Sequence, residues 1–503
     1  MSTADAAYGG GSRQLNVTRL MQAVVLAFLA VKLAFIFTVG PASDEAYYWM
    51  WGRIPELSYF DHPPLQAWLL GLSDNVFGRS LFALRWLTLV SMIGTFWIFL
   101  IWAQRLSGRY WQSQFWVCVA IYLASPTFGF FGSVAFHDHL LIFLCLASGH
   151  CFITYLTLWE TQGKLARGSL YLGAIVLGLA ALTKYSAIFL GLGLVGVILF
   201  NRSYRRLLAD PHLYLAAVVS IAMLTPVFLW NFQHGFTSFL FHLSDRHGGG
   251  YWFSDPDFSR FWEFPLTSLL LVSPFIFIAI FRFFAARLEP GFERTARRLA
   301  VWVFWLSTLT FLAVTLFDYV NWWWNLVAYI LAMPFVSRYM GRRWLLWLHI
   351  VYGAIVTTLL FISTAIVPLI NVFGGYDWRL SPLYGWEQLE VAAQKAVDQY
   401  HPSFIASDGP ELASLTGFAI DTTNVTSLDP SRRSQYDYWF DRPAHAGENA
   451  VVVIDSLVDP SAVSGYFTTL TPIDSIDISR FGVFIRGFRL YYGEGYIPGP
   501  AAP

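Results

Sequence analysis

The sequence predicts an all-α polytopic membrane protein that carries a small α/β domain at its C-terminal end. First, 56% of the 503 residues are hydrophobic and only 13% are charged, whereas soluble chains carry about 25% charged residues. Second, apolar segments long enough for helices recur between residues 18 and 370. Third, helix and strand patterns of the kind found in soluble domains replace these segments from about residue 375 onward.

The apolar segments predict eleven transmembrane helices, and neighbouring totals up to thirteen stay open. Helices are predicted because irregular backbone cannot face lipid. The segments lie at residues 18–40, 80–104, 112–127, 139–158, 169–183, 185–200, 212–231, 262–284, 299–317, 321–337 and 343–370. The first is long enough to span a membrane and lacks a small-residue cleavage site, so no cleaved signal peptide is predicted.

The charges between the segments predict the topology. Most arginines lie in the loops after the even-numbered segments, and the opposite loops hold most of the acidic residues. By the positive-inside rule, the N-terminal tail, residues 1–17, is cytoplasmic and the first loop faces outward. With an odd number of spans, residues 375–503 also lie outside. The transmembrane domain, residues 18–374, then presents its functional loops on the outer side, at 41–80, 127–138 and 232–261.

Composition also excludes some classes of protein. A formal net charge of zero gives no electrostatic footprint for nucleic acid. All three cysteines fall in apolar segments, so neither a disulfide framework nor a thiolate metal site is expected. In the C-terminal domain, residues 385–400 predict a helix, and residues 449–456 and 480–492 predict strands.

The first outer loop, residues 43–64, has the composition of a site. It places the acidic pair Asp44 and Glu45 before a run of aromatic residues and ends in Asp61, His62 and two prolines. A simpler interpretation is that the acidic pair caps a helix at the membrane surface. Asp61, His62 and the two prolines could likewise form only a turn before the next helix.

Other candidate residues gather in the outer loops and are predicted to share a cleft with the first loop. Polar residues at membrane depth are functional candidates by default. The predicted donor- and substrate-binding residues are Tyr59, Asp61, His62, His137, Asp138, His139, Lys184, Asn231, His234, Arg246 and Asn325. Each also has a structural interpretation: Lys184 could extend to the lipid headgroups, and the triplet that begins at His137 matches no standard zinc spacing.

These residue types suit sugar transfer from a lipid phosphate to a hydroxyl group. The phosphate is already a good leaving group, so it needs a cation, either Lys or Arg or a divalent metal. The acceptor hydroxyl needs one carboxylate as general base. If the cation is a divalent metal instead of a lysine or arginine side chain, Asp61 and His62 are its predicted ligands. Direct displacement at the anomeric carbon would invert its configuration.

Several stretches resemble bacterial membrane glycosyltransferases of the GT-C fold, in the glycosyltransferase 39-like or mannosyltransferase-like group. This group is related to the lipid A aminoarabinose transferases and includes rhizobial lipopolysaccharide-core galacturonosyl transferases. The resemblance covers nearly the whole chain and is strongest at residues 40–100 and 180–250. The stretches that carry it are SDEAYYW, YFDHPPLQAW, ALTKYSAIF and PVFLWNFQHGFTSF.

The resemblance implies inverting transfer of a monosaccharide from a polyprenyl-phosphate donor at the periplasmic face of the bacterial inner membrane. It makes Asp44 the base, Lys184 a contact of the donor phosphate and Asp61 a carboxylate facing a metal. This chain has His62 where those relatives have lysine, and Tyr47 where they have arginine. Both departures bear on the predicted metal and donor.

The sequence therefore predicts a glycosyltransferase that acts on lipid A, lipopolysaccharide core, another envelope glycan or a protein, with membrane lipids around it. Asp44 is its predicted base, Glu45 orients the base or the sugar, and Lys184 and Arg246 hold the phosphate. One alternative is a flippase or transporter of a lipid-linked sugar, which would need polar residues deep in the bundle and gates on both faces. The other is a non-catalytic envelope scaffold.

Overall fold

The computed structural model of the chain describes residues 11–243, 258 and 261–499. Within these residues the chain forms 22 α-helices and five β-strands. The helices are α1 (Gly11–Thr38), α2 (Ser43–Arg53), α3 (Leu65–Phe77), α4 (Leu81–Ser107), α5 (Trp111–Ala124), α6 (His137–Gln162), α7 (Arg167–Ala181), α8 (Ile188–Phe200), α9 (Pro211–Ala222), α10 (Thr225–Gln233), α11 (Thr237–Leu243), α12 (Glu263–Val272), α13 (Pro274–Ala285), α14 (Phe292–Val314), α15 (Val327–Ile330), α16 (Met333–Tyr339), α17 (Arg343–Phe361), α18 (Leu369–Val372), α19 (Trp386–Tyr400), α20 (Pro410–Ala419), α21 (Tyr436–Trp439) and α22 (Ser461–Ser464). The strands are β1 (Phe404–Ser407), β2 (Val425–Ser427), β3 (Ala450–Asp455), β4 (Phe467–Arg480) and β5 (Val483–Tyr496).

The described chain packs as two compact units. The described residues of 11–33, 62–65 and 87–357 form the first, helical unit. Residues 34–61, 66–86 and 358–499 form the second, which contains the sheet. The predicted domain boundary at residue 375 was drawn from composition, whereas this division follows packing, so it also includes helices α2 and α3 in the second unit.

The structure contains helices that are long and apolar enough to span a membrane, and their number depends on how bent helices are counted. In the described part of the chain, five stretches are long and apolar enough to cross a membrane, or seven if each of two bent pairs is one span. The five stretches are Leu15–Thr38, Leu81–Ala124, His137–Gln162, Phe292–Val314 and Arg343–Ile366. Helix α7 and the stretch Tyr185–Phe200 are apolar but shorter. Each of the eleven predicted segments coincides with helical chain, while the count of crossings stays a prediction.

One bent pair shows why a continuous apolar segment does not give a continuous helix. Helices α12 and α13 meet at an angle of 95°. Between them Ser273 has φ 108°, and Pro274 follows, which has no N–H to continue the helix. The Ser273 hydroxyl hydrogen-bonds His349 Nδ1 at 2.9 Å, and the Val272 carbonyl accepts from Ser125 at 2.9 Å. Side chains of neighbouring helices thus satisfy polar groups at the break.

The predicted helix at residues 321–337 is likewise broken. It consists of a 3₁₀ turn, Trp322–Asn325, followed by the short helices α15 and α16. Asn325 lies at the start of this stretch, where its side chain is completely buried. Pro334 lies in the first turn of the last helix, where the missing N–H is tolerated.

The sheet of the second unit has strand order β2-β1-β3-β5-β4. Strands β2, β1 and β3 are parallel, whereas β5 pairs antiparallel with both β3 and β4. The predicted strands correspond to β3 and β5, and the predicted helix to α19. Strands β4 and β5 form a hairpin in which Phe481 and Gly482 both have positive φ, as a tight two-residue turn requires.

Helix α2 packs closely against two other helices of the second unit. A Cβ atom on Gly52 would lie only 2.6 Å from the backbone nitrogen of Gly71, so α2 and α3 meet through their glycines. The Trp49 ring of α2 lies edge-on to Phe418 of α20 with centroids 5.2 Å apart. Met50 and Trp51 are fully buried. This packing gives the acidic pair at the start of α2 a fixed position.

Candidate active site

The two acidic residues at the start of α2 have different surroundings. The Glu45 side chain is fully buried and forms a two-pronged ion pair with Arg85 of α4, at 2.9 Å and 2.6 Å. Glu45 also accepts a hydrogen bond from the Ala42 backbone N–H at 2.9 Å. Arg85 in turn donates to the Val39 and Gly40 carbonyls after α1. Glu45 therefore joins three segments of chain, and its carboxylate is already committed to structural contacts.

Asp44 is instead half-buried and has no ion pair of this kind within the described chain. Burial raises the pKa of its carboxyl group to about 6, and the negative charges of Glu411 and Asp61 add to the effect. The positive charge of Arg432 partly opposes it by lowering the same pKa. A carboxylate with a pKa near the working pH is suited to accept a proton and release it again.

Asp61 lies in a network with the same charged groups. The Tyr47 hydroxyl donates to Asp61 Oδ2 at 2.9 Å, and burial raises the pKa of Tyr47, so it stays a proton donor. Arg432 Nη2 lies 3.5 Å from Asp61 Oδ1, while its Nη1 donates to Glu411 at 3.0 Å. About half of the Arg432 side chain is exposed. A cation with this exposure can still reach a bound anion.

This network bears on the predicted metal. Among the described residues, no group of three or more His, Cys, Asp or Glu side chains is arranged to hold a metal ion. Asp61 already faces a guanidinium, and a second cation at the same carboxylate would be repelled. Asp61 is therefore better placed to pair with Arg432 than to bind a metal ion. His62, the other predicted ligand, lies in the first unit, and we derive no step through a metal.

Tyr59, predicted to bind substrate, is built into the loop that carries it. Its hydroxyl donates to the Trp51 carbonyl at 2.7 Å and accepts from the Glu56 N–H at 3.1 Å. Its ring stacks on Trp51 with centroids 4.6 Å apart. With its side chain fully buried, Tyr59 holds the loop in place.

In the first unit, Asp138 and Lys184 form an ion pair. Lys184 Nζ lies 2.8 Å and 3.0 Å from the two Asp138 carboxylate oxygens. The two side chains are only 13% and 10% exposed, so the ion pair is largely buried. Lys184 follows the end of α7, and Asp138 lies in the first turn of α6. The sequence placed these residues 46 positions apart, and the fold brings them together.

The histidines of the first unit fall into separate environments. The rings of His62 and His137 have centroids 4.4 Å apart, and His242 lies 6.1 Å from His62. His139 instead hydrogen-bonds the Ser91 hydroxyl at 2.9 Å. The rings of His62, His137 and His242 therefore lie close together, and His139 is anchored by Ser91. His242 was not among the predicted site residues.

Three further predicted pocket residues have structural contacts. The Asn231 side chain accepts from the Phe239 N–H at 3.2 Å and is fully buried, so it connects α10 to α11. His234 stacks on Trp230 with centroids 4.2 Å apart. Asn325 donates at 3.0 Å to both Thr308 and Tyr329. These contacts shape the fold around the helices, and Arg246 lies outside the described residues.

Several charged residues of the second unit were missed from the sequence. Arg85, Glu411 and Arg432 all interact with the acidic pair or with Asp61, but they lie in no short motif beside it. Arg85 could have been suspected, because an arginine inside an apolar helix needs a buried partner. No pattern in the sequence singles out Arg432 from the neighbouring Arg433.

Comparison with known proteins identifies the fold. Residues 61–230 match the family model described as dolichyl-phosphate-mannose-protein mannosyltransferase. The lipid A galacturonosyltransferase RgtD of Rhizobium johnstonii is 25% identical over 337 residues, 66% of each chain, so the chain spans just under two thirds of that relative. Crystal structures of ArnT from Cupriavidus metallidurans, in the apo state and bound to undecaprenyl phosphate, both align with a TM-score of 0.57. The two ArnT chains are 16% and 15% identical to this chain in sequence, and each alignment covers 96% of this chain and 98% of the ArnT chain.

These matches confirm the predicted GT-C fold, with several apolar helices and a small C-terminal sheet domain. The predicted resemblance is supported by the partial matches to the family model and to RgtD, and the class of enzyme stays a prediction. The roles of individual site residues stay predictions.

Proposed function

We propose that this protein of the GT-C fold is a glycosyltransferase that moves one monosaccharide from a polyprenyl-phosphate donor to a hydroxyl group of lipid A, lipopolysaccharide core, another envelope glycan or a protein. The matches to RgtD and to ArnT bound to undecaprenyl phosphate support a lipid-linked donor and a lipid acceptor.

The single observation that carries the proposal is the contrast between Asp44 and Glu45. Both are carboxylates on the same turn of α2, yet Glu45 is held by Arg85 while Asp44 is half-buried with a pKa raised to about 6. A group that is mostly ionised at neutral pH, and only weakly acidic, can take a proton from a hydroxyl as a bond forms. Asp44 is therefore the proposed base.

The proposed reaction is a single displacement. The Asp44 carboxylate takes the proton of the acceptor hydroxyl while the hydroxyl oxygen forms a bond to the anomeric carbon of the sugar. The bond from that carbon to the phosphate oxygen breaks at the same time, and polyprenyl phosphate leaves with the electron pair. Attack opposite to the leaving group inverts the anomeric configuration.

The leaving phosphate gains negative charge and needs a cation. Lys184 is the proposed contact, as the resemblance implies, with Asp138 holding its ammonium group in place at 2.8 Å. Glu45 is proposed to act indirectly, by fixing the start of α2 through Arg85.

We also propose the orientation of the chain in a bacterial inner membrane. The arginine-rich loops support a cytoplasmic N-terminal tail and a periplasmic position for α2 and for the C-terminal sheet. The reaction would then take place at the periplasmic face.

The test uses purified wild-type protein, Asp44→Asn and a matched control, Asp398→Asn, which changes an exposed aspartate on α19. Each is incubated with membrane lipid extract that supplies donor and acceptor. Mass spectrometry measures free polyprenyl phosphate and any sugar-mass increment on the acceptor. Wild type and Asp398→Asn should give both products, and Asp44→Asn should give neither.

The outcomes separate the alternatives. A flippase or a scaffold would release no polyprenyl phosphate from intact donor. Substantial turnover by a correctly folded Asp44→Asn would show that another group is the base. An increment on the acceptor would also report the mass, and hence the class, of the transferred sugar.

A further inference from the structure

A cavity of about 240 Å³ lies within the second unit beside the start of α2. It is smaller than the roughly 300–1,000 Å³ pockets that hold drug-sized ligands. Ser43, the residue before the proposed base, lines the cavity, and so does Glu411, whose charge contributes to the raised pKa of Asp44. The cavity therefore lies near Asp44, although Asp44 itself is not part of its lining.

The position of the cavity in the sheet is one that favours ligands. Strand β1 pairs with β2 on one side and with β3 on the other, and all three are parallel. After β1 the chain forms β2 on one side of β1, and it then crosses to form β3 on the other side. In parallel sheets, such a reversal of strand order opens a crevice at the carboxyl ends of the two strands, here β1 and β3. Asp408 follows β1 directly, and Asp455 is the last residue of β3. Both line the cavity.

The polar groups in the cavity form a connected set. The Asp455 N–H donates to Asp408 Oδ2 at 3.0 Å, and Arg486 Nη2 donates to Asp455 Oδ2 at 3.0 Å. Arg486 is only 4% exposed, yet its Nε–H has no hydrogen-bond partner within the described residues. A buried donor without a partner is unfavourable, so a ligand oxygen at this position would be stabilising.

The chemistry of the lining indicates the ligand class. Carboxylates only accept hydrogen bonds and arginine only donates them, whereas a hydroxyl group does both. Leu412 and Leu415 supply an apolar surface on which the carbon face of a sugar ring can rest. Three carboxylates and one arginine line the cavity, and Arg432 pairs with one of the carboxylates, Glu411. The remaining net negative charge disfavours phosphate or uronate groups.

We propose that this cavity binds an uncharged sugar ring of the acceptor and directs one of its hydroxyl groups to Asp44. The assignment rests on the proposed function for its role in transfer, but binding of a sugar can be measured without any turnover. The cavity then selects the acceptor, a role that requires no contact with the lipid-linked donor.

Gly409 offers a way to fill the cavity without disturbing the backbone. It lines the cavity with φ −160°, an extended conformation open to any residue. A Cβ atom there would approach only Glu411, at 3.5 Å, an ordinary contact distance. Gly409→Leu should therefore fold and occupy the space of the ligand. Gly465→Leu is the matched control, because Gly465 is exposed and a Cβ atom there meets nothing within 4 Å.

The first measurement is saturation-transfer NMR on the three purified proteins in detergent, with methyl glycosides of neutral hexoses and, for comparison, glucose 1-phosphate and glucuronate. Neutral glycosides should give a signal with wild type and Gly465→Leu that falls at least fivefold with Gly409→Leu. Equal signals from wild type and Gly409→Leu, stronger binding of the anionic sugars, or no signal from any neutral glycoside would overturn the proposal.

The second measurement is the transfer assay with lipid extract at several acceptor concentrations. Gly409→Leu should raise the acceptor KM at least tenfold, and Gly465→Leu should match wild type. If wild type binds neutral glycosides through this cavity but releases no polyprenyl phosphate, the proposed transferase function fails while the sugar site stands. If wild type transfers sugar and Gly409→Leu does so with an unaltered KM, the proposed acceptor site is wrong, while the proposed transferase function stands.

Discussion

Replacing Asp44 by asparagine should remove transfer and at the same time stabilise the folded protein above pH 6. The environment of α2 raises the pKa of this carboxyl group from 3.8 to about 6. The ionised form is therefore less favourable in the folded protein than in the unfolded chain. A difference of about two pH units corresponds to about 3 kcal/mol. Because Asp44 is half-buried, this is an upper bound, and we expect a gain of about 1–3 kcal/mol.

The sign of the pH dependence follows from proton binding. The folded protein keeps the Asp44 proton up to about pH 6, whereas the unfolded chain releases it near the ordinary value of 3.8. The wild type consequently loses stability as pH rises between these two values. Asparagine does not titrate, so the two proteins should be equally stable near pH 4, and the difference should be complete above pH 6.

The assay is thermal unfolding in detergent, followed by tryptophan fluorescence from pH 4 to pH 8. Asp398→Asn, on exposed α19 surface, should follow the wild type throughout. If Asp44→Asn were less stable than wild type at pH 7.5, or if the difference were independent of pH, favourable partners would be stabilising the ionised carboxylate. The argument for a poised base would then be refuted.

Three other variants probe separate parts of the structure. Arg85→Met should lower the free energy of unfolding by about 3–5 kcal/mol, because it leaves the fully buried Glu45 carboxylate without its cation; an unchanged unfolding temperature in detergent would contradict this. Arg432→Ala should move the acid limb of the pH–rate profile upward by less than about one pH unit, since its half-exposed charge lowers the pKa of the base. Arg489→Ala serves as its control, and a limb that stays in place would show that the cation is uncoupled from the base. Lys184→Met should reduce donor turnover by on the order of 10²-fold; arginine at this position should restore part of it, and full activity of the methionine variant would exclude a phosphate contact.

Much of the candidate site was visible in the sequence as a set of residue types, but not as a set of roles. The stretch from Asp44 to His62 is unusual in the sequence, because carboxylates and an imidazole are concentrated between apolar segments. Asp44 and Glu45 could not be told apart there, since adjacent acidic residues have the same composition around them. Only the buried contact of Glu45 with Arg85, 40 positions away, separates the structural carboxylate from the available one.

The fold class could be predicted from the sequence alone. Apolar segments longer than a soluble core needs must be helical in lipid, and the change of composition near residue 375 marks where a sheet can form. The tertiary structure alone decided where helices break, as at Ser273, and which charges meet, as for Arg432 and Asp61. The cavity at the ends of β1 and β3 is likewise visible only in the tertiary structure. Hydropathy and periodicity are properties of neighbouring residues and can be read locally. An ion pair or a cavity depends on how distant segments pack, and that information is distributed over the whole chain.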